Sequence, residues 1–229
     1  MDIILSNASG VPIYEQIVRQ IADVEIDDKI SFVIKKTEEI MEDSEYQGVR
    51  LSLDAYLDKT RIPLKIDIST GDVITPCEIS FSYQLMFENR TIPLLAYPPE
   101  TVLAEKLETI LSRGEANTRL RDFYDVYILQ REDFVVTPNA LCHALLATCR
   151  KRGHEDLLHT YASILNEVRQ SGAMRAQWMK YQTDFDYAAG ISWDTVLDTV
   201  ETLCMKTLDD HAFGDELPQE ESQFEMHLL

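Results

Sequence analysis

Apolar residues recur at two different spacings along the chain, and the change of spacing separates a strand-rich first part from a helical second part. Residues 46–57 alternate between apolar and polar side chains, and residues 62–68 repeat the alternation, which is typical of half-buried strands. The short link at 58–61 predicts a β-hairpin between them. The positions predicted to face inward are Val49, Leu51, Leu53, Ala55, Leu57, Ile62, Leu64, Ile66 and Ile68. Those predicted to face outward are Arg50, Ser52, Asp54, Tyr56, Lys65 and Asp67.

The remaining elements follow from the same patterns. Isoleucines spaced by four predict a short amphipathic helix over 12–22, and apolar runs predict strands over 31–36, 79–83 and 91–96. After Pro98 the spacing becomes helical, and the predicted helices are 99–113, 119–131, 138–151, 156–170, 173–182 and 193–208. Strands followed by helices predict the α+β class, with an antiparallel or mixed sheet followed by a C-terminal helical bundle.

A lysine interrupts the apolar stripe of the helix predicted over 99–113. Lys106 lies four residues after Val102 and four before Ile110, so at 100° per residue it points into the same stripe. A lysine that faces a core is costly unless an anion meets it. We therefore expect a carboxylate partner for Lys106.

The next predicted helix supplies candidates for that partner. Asp122 and Asp125 lie one turn apart, Arg119 and Arg121 are beside them, and apolar residues on both sides of the helix predict that the acids are half-buried. The group is either a ligand site or a structural ion pair that fixes the angle between two helices. Arg121 also precedes Asp125 by four residues, so a surface ion pair between them is an equal interpretation.

Composition and net charge limit how this chain could bind a nucleic acid. The 229 residues are 45% hydrophobic, enough for a substantial core, and carry a formal net charge of −19. That charge repels polyphosphate at long range, so a nucleic acid would have to be held by local basic clusters. The candidate clusters are Lys59, Arg61 and Lys65; Arg113, Arg119 and Arg121; and Arg150, Lys151 and Arg152.

The sequence gives no sign of a membrane segment, a signal peptide or a cysteine-based site. No apolar run approaches the length of a membrane-spanning helix, and we expect a cytoplasmic protein. The four cysteines are widely spread without a CxxC pair, which argues against a disulfide framework or a zinc ribbon. Cys142 and Cys149 are predicted to be core thiols.

Two blocks of sequence resemble the AbiEii/AbiGii nucleotidyltransferases, the toxins of abortive-infection toxin–antitoxin pairs that act in phage defence. One block comprises residues 100–107, 117–119 and 121–125, and the other is IPLKIDISTGDVITP at 62–76. The resemblance extends from about Val24 to about Leu129 and implies a nucleotidyltransferase-like sheet. It implies nucleotide transfer from an NTP to an acceptor such as tRNA, Mg²⁺ as cofactor and a cognate antitoxin as partner.

The resemblance also assigns roles to individual residues. Asp67 would hold a metal or take a proton from an attacking hydroxyl, Lys106 would contact nucleotide phosphate, and Asp122 and Asp125 would complete the catalytic site. Arg119 and Arg121 would bind nucleotide phosphate. Without the resemblance, an ordinary solvent-facing residue of a hairpin is the simpler interpretation of Asp67. A structural turn is likewise the simpler interpretation of residues 69–72, with a phosphate nest as the alternative.

The beginning of the chain departs from the family pattern. Nucleotidyltransferases of this type open with a G-S turn and a D-x-D strand whose carboxylates hold magnesium, and residues 1–60 show no such spacing. Ser9-Gly10 is reversed, and Asp27 and Asp28 are adjacent. We therefore expect an N-terminally truncated domain with no protein metal site and impaired catalysis. The alternative is a non-catalytic remnant that binds nucleotide or a cognate antitoxin.

The first 20 or so residues, MDIILSNASGVPIYEQIVRQI, resemble the start of GntR-family transcription regulators. No recognition helix follows, so we expect no sequence-specific DNA binding. The predicted domains are a GntR-like remnant at 1–22, a partial nucleotidyltransferase sheet at 23–97, a helical domain at 98–208 and an acidic disordered tail at 209–229.

Overall fold

The computed structural model describes residues 2–4, 11–24, 26, 28–42, 46–69, 71–131 and 136–209. The chain divides into two compact units, Met1–Asp72 and Val73–Leu229. Strands dominate the first unit and helices the second, which confirms the predicted α+β class. Apart from Asp209, the predicted acidic tail lies outside the described residues, as do Ser9-Gly10 and Asp27.

The first unit contains one helix and a four-stranded mixed sheet. Its elements are β1 (Asp2–Ile4), α1 (Val11–Ala22), β2 (Ile30–Glu42), β3 (Tyr46–Leu57) and β4 (Thr60–Ser69). The strand order is β1-β4-β3-β2, with β1 parallel to β4 and the other neighbours antiparallel. Leu57 pairs with Thr60, so the predicted hairpin between β3 and β4 is confirmed with a tighter turn.

The core of the first unit lies between α1 and one half of the sheet. The buried side chains are Tyr14, Val18, Val49, Leu51, Leu53 and Ile68. The helix is present as predicted, but Ile13 and Ile21 are 43% and 60% exposed, and its buried face is the one carrying Tyr14 and Val18. A spacing of four therefore predicted the helix without identifying its buried side.

Two predictions about the faces of the sheet are wrong. Leu57, Ile62 and Leu64, predicted to face inward to a core, are 44%, 48% and 38% exposed, because α1 packs on the other end of the strands. Asp54, predicted to face outward, is 2% exposed. Its carboxylate lies 3.0 Å from Arg61 Nε and 3.7 Å from Lys35 Nζ, and these side chains supply the opposite charge that a buried acid needs.

The second unit contains a hairpin and a helical bundle. The hairpin is β5 (Ile79–Gln84) with β6 (Thr91–Ala96), and the helices are α2 (Pro99–Arg113), α3 (Leu120–Leu129), α4 (Pro138–Arg152), α5 (Leu157–Gln170), α6 (Gly172–Asp184) and α7 (Trp193–Leu208). Each predicted helix is confirmed with bounds that differ by no more than two residues. Large buried side chains from several helices form the core, among them Leu103, Leu107, Phe123, Trp178, Trp193 and Val200.

Capping residues explain where several helices begin and end. The Thr137 and Ser192 side chains accept hydrogen bonds from the backbone N–H groups of Ala140 and Thr195, which opens α4 and α7. Gly114 ends α2 with a φ of 49°, a left-handed conformation that favours glycine. None of the helices in the described ranges is long and apolar enough to cross a membrane.

Candidate functional site

The link between α2 and α3 sets the position of the candidate site. After α2 the chain makes a 3₁₀ turn at Gly114–Ala116 and reaches Asn117, whose side chain is fully buried. The Asn117 side chain donates a hydrogen bond to the Thr109 carbonyl at 3.4 Å and accepts one from the Arg119 N–H at 2.7 Å. Asn117 thus ties the start of α3 to α2.

Lys106 meets both predicted acids across this link. Its Nζ lies 2.6 Å from Asp125 Oδ2 and 3.3 Å from Asp122 Oδ1. The Lys106, Asp122 and Asp125 side chains are 21%, 16% and 21% exposed, so the group is half-buried, as predicted. An ammonium carries three N–H donors, and two of them are engaged here. The third can reach a ligand oxygen.

The two arginines beside the acids, Arg119 and Arg121, have different positions and contacts. Arg121 Nε lies 3.8 Å from Asp125 Oδ2, and its side chain is 78% exposed, so this is a weak surface ion pair. Arg119 occupies the position just before α3, and its side chain does not form a capping hydrogen bond with the helix. Both arginines line a cleft that also contains Asp122. Positive charge is therefore available next to the Lys106 group.

The cleft, with a volume of about 480 Å³, lies between the start of α3 and the end of α6. The α6 side contributes Lys180 and Tyr181, followed by Phe185 just after the helix. Tyr181 contacts the Phe185 ring at a centroid distance of 4.7 Å and hydrogen-bonds to the Tyr187 hydroxyl at 2.8 Å. Burial, and then the hydrogen bond to Tyr187, raise the pKa of Tyr181 above its usual value.

A second ionic cluster on α2 was missed by the sequence analysis. Glu108 is 2% exposed and contacts the Arg152 guanidinium and His154 Nδ1, the latter at 2.7 Å. Glu108 follows Ala104 by four residues within a buried stripe, so the argument that singled out Lys106 would also have found this acid. Because Glu108 is almost fully enclosed, the cluster is a structural tie between α2 and the end of α4.

Asp67 lies in the first unit and is paired with an arginine. Arg50 is its register neighbour across β3 and β4, and the Nε and Nη2 atoms of Arg50 each donate to one carboxylate oxygen at 2.6 Å. The hydrogen bonds from Arg50 hold the pKa of Asp67 below its usual range, and the Lys65 charge adds to the effect. Asp67 is therefore a carboxylate that stays ionised and a weak acceptor of protons.

Asp67 also has an acidic register neighbour in the sheet. Asp2 of β1 is its register partner in the parallel pair, so acids occupy adjacent positions on β1 and β4. Sequence reasoning missed this pairing because a three-residue strand has no detectable periodicity.

After β4, Ser69 donates a hydrogen bond to Asp72 at 2.9 Å, and Gly71 has a φ of 91°, which is consistent with the predicted turn.

Comparison with known proteins identifies the family. A sequence model described as the nucleotidyl transferase AbiEii toxin of type IV toxin–antitoxin systems matches residues 2–199. The chain belongs to the AbiEii family. The matched range includes residues 2–22, whose resemblance to GntR regulators stays a prediction.

Membership places the chain among nucleotidyltransferase toxins, which use an NTP and a divalent metal and are paired with an antitoxin. A crystal structure of a candidate nucleotidyltransferase from H. pylori is similar at a TM-score of 0.38 and 13% identity, covering 92% of this chain and 80% of that chain. A search of curated proteins gave no match.

The described residues do not by themselves form a magnesium site. Within the described ranges, no group of three or more His, Cys, Asp or Glu residues is arranged to hold a metal. Both oxygens of Asp67 already accept hydrogen bonds from Arg50, whereas Mg²⁺ requires oxygen ligands in near-octahedral geometry. We therefore derive no step of the AbiEii reaction through a bound metal.

The candidate basic clusters are partly neutralised within the fold. Arg61 pairs with Asp54, Arg150 with Glu155 and Arg152 with Glu108. These three arginines stabilise the units themselves. Lys106 and Arg121 are likewise paired with carboxylates, but their pairs adjoin a cleft that an anionic ligand can enter.

Proposed function

We propose that the chain binds an NTP through Lys106 and transfers a nucleotide to an RNA acceptor such as tRNA. The observation that carries the proposal is the half-exposed Lys106 ammonium, held by Asp122 and Asp125 with one N–H donor left over. A purely structural tie can be fully enclosed, as Glu108 is in the same helix. The Lys106 group instead adjoins a cleft through Asp122.

The local charge favours an anion in spite of the chain's overall charge. The Lys106 group and the adjoining cleft carry four cations and three carboxylates, namely Lys106, Arg119, Arg121 and Lys180 against Asp122, Asp125 and Asp184. Charges within about 10 Å dominate the potential at physiological salt, so the distant acids that give the chain its net charge of −19 are screened. A triphosphate can therefore bind beside Lys106.

The proposed transfer is a substitution at phosphorus. A hydroxyl oxygen of the acceptor bonds to the α-phosphorus of the NTP, the bond from that phosphorus to the bridging oxygen breaks, and pyrophosphate leaves. The hydroxyl proton passes to water. Lys106 and the arginines would stabilise the charge on the phosphate oxygens.

Asp67 is better suited to supply a fixed negative charge than to accept a proton. Its pairing with Arg50 lowers its pKa, and a carboxylate with a lowered pKa takes up protons poorly near neutral pH. We propose that ionised Asp67 contributes fixed negative charge and that Arg50 holds its orientation.

The direct test measures nucleotide transfer. The chain is incubated with tRNA, Mg²⁺ and each of the four labelled NTPs, and label in tRNA is quantified for the wild type and for Lys106→Ala. Lys206→Ala, an α7 lysine outside this cleft, is the matched control. Because the described residues do not fit a magnesium ion, we expect slow labelling of tRNA by the wild type and the control, and a further loss of at least about a hundredfold in Lys106→Ala.

The pairing of Asp67 with Arg50 favours a second candidate, a non-catalytic chain that binds nucleotide or a cognate antitoxin. NTP binding that depends on Lys106, without any labelling of tRNA, would support this second candidate over the first. Binding and labelling that are both unaffected by Lys106→Ala would contradict the site itself. The four predicted domains and the cytoplasmic location remain predictions.

A further inference from the structure

The cleft beside the Lys106 group combines features that favour a nucleotide. It has a volume of about 480 Å³ and is bounded by the start of α3 and the end of α6. Asp122 belongs both to the cleft wall and to the Lys106 group, so a ligand in the cleft would lie next to the proposed phosphate site.

Cations line both sides of this cleft. Arg119 and Arg121 lie on the α3 side and Lys180 on the α6 side. Within the described ranges Lys180 forms no ion pair, and the carboxylate of Asp184, one turn further along α6, lines the same cleft. A phosphate group is small enough to be met by cations from either wall.

Aromatic rings stand next to these cations. Phe185 is 42% exposed at the cleft. Tyr181 is stacked on Trp178, with a centroid distance of 5.4 Å and an interplanar angle of 24°, and its ring centroid lies 4.7 Å from that of Phe185. Its hydroxyl is held by Tyr187. The rings are thus fixed before a ligand arrives, which lowers the entropic cost of binding.

The exposed Phe185 ring, the half-buried Tyr181 ring and the neighbouring cations match the two parts of a nucleotide. Stacking on aromatic side chains holds bases without requiring a particular sequence, and cations hold the backbone phosphate. Gln177 and Asp184 also line the cleft and offer hydrogen-bonding groups to a base edge.

We propose that this cleft binds one nucleotide unit, with its base against Phe185 and Tyr181 and its phosphate at Lys180 and Arg119. The inference rests on the proposed nucleotide transfer at Lys106 and extends it to the α6 wall. Two sources share this chemistry, the free NTP and the unpaired terminal nucleotide of an RNA acceptor.

The test compares Phe185→Ala and Lys180→Ala with the wild-type full chain. Binding is measured for each NTP by calorimetry and for a short single-stranded RNA by fluorescence anisotropy. We expect each substitution to weaken binding of one of these ligands by about tenfold, because base–aromatic and cation–phosphate contacts are lost. Phe185→Tyr, which keeps the ring, should recover most of the affinity lost in Phe185→Ala. Lys206→Ala, an exposed lysine elsewhere in the helical unit, should bind as the wild type does.

The ligand that responds identifies the source. Weaker binding of NTP assigns the cleft to the incoming nucleotide, and weaker binding of RNA alone assigns it to the acceptor. Unchanged affinity for both ligands in both variants overturns the inference. Phe185 and Lys180 are exposed, so we expect little change in fold, which circular dichroism and the thermal midpoint will verify.

The Lys106→Ala variant separates this inference from the proposed function. If Lys106→Ala loses NTP binding while both cleft variants bind normally, the cleft inference is wrong and the proposed function stands. If Lys106→Ala retains NTP binding and labelling, the proposed function fails whatever the cleft variants do.

Discussion

Lys106 and Glu108 lie two residues apart on α2 and contact different partners. Lys106 meets Asp122 and Asp125 of α3, and Glu108 meets Arg152 at the end of α4. Two residues turn a helix by about 200°, so the two charges point to opposite sides. One helix therefore carries a half-exposed ionic group beside a cleft and an enclosed ionic group within the bundle.

The different burial of these groups predicts different effects on stability. Glu108→Gln should reduce the free energy of unfolding by about 3 kcal/mol, because it leaves Arg152 in a buried site without its anion. Lys106→Met should cost about 1 kcal/mol, since its half-exposed acids can be solvated. Urea unfolding measures both, and equal losses would contradict the distinction between a structural tie and a functional group.

Asn117 is predicted to be a positioning residue for the site. Asn117→Ala removes the acceptor for the Arg119 N–H and should reduce the free energy of unfolding by about 1–2 kcal/mol. Calorimetry should also show weaker NTP binding, because Arg119 and the start of α3 lose their anchor to α2. Asn166→Ala, at an exposed position of α5, is the matched control and should change neither quantity. Normal NTP binding by a destabilised Asn117→Ala would restrict its role to stability.

The Arg50–Asp67 pair predicts a pH dependence with a definite sign. The pKa of Asp67 is lower in the folded chain than its ordinary value, so its contribution to stability is complete above about pH 4 and is lost as the pH falls through the folded pKa. NMR titration of the Asp67 carboxyl carbon should give a higher pKa in Arg50→Gln than in the wild type. An identical pKa in the two proteins would show that Arg50 does not hold Asp67 in solution.

The cysteines should differ sharply in reactivity. Burial raises the pKa of Cys149 and of Cys204 to about 12 and also raises that of Cys142, whereas Cys77 is exposed. A disulfide reagent at about pH 8 should react rapidly with Cys77 alone in the native chain, and with all four thiols after unfolding. Cys77→Ser should remove the rapid phase. Rapid reaction of a second native thiol would contradict the described burial.

Local sequence patterns predicted the bounds of helices and strands more reliably than they predicted which side chains are buried. Helix bounds followed from apolar spacing and from residues such as Gly114 and Ser192, which act on neighbouring backbone groups. The exposure of Ile62 and the burial of Asp54 could not be predicted, because they depend on where α1 packs and on which cations reach across the sheet. Alternation shows which residues share a face but not what covers it.

In the candidate site, too, local sequence patterns predicted some relations between residues and tertiary packing set the others. Helical geometry fixes the relations between near neighbours, so the amino-acid sequence was enough to predict that Lys106 interrupts an apolar stripe and that two acids follow one turn apart on the next helix. The pairing of Arg50 with Asp67, the pairing of Glu108 with Arg152 and the presence of Lys180 and Arg119 in one cleft emerged only from the packed fold. These pairs of residues are 17, 44 and 61 positions apart, and strand register and helix packing bring them together rather than any local period.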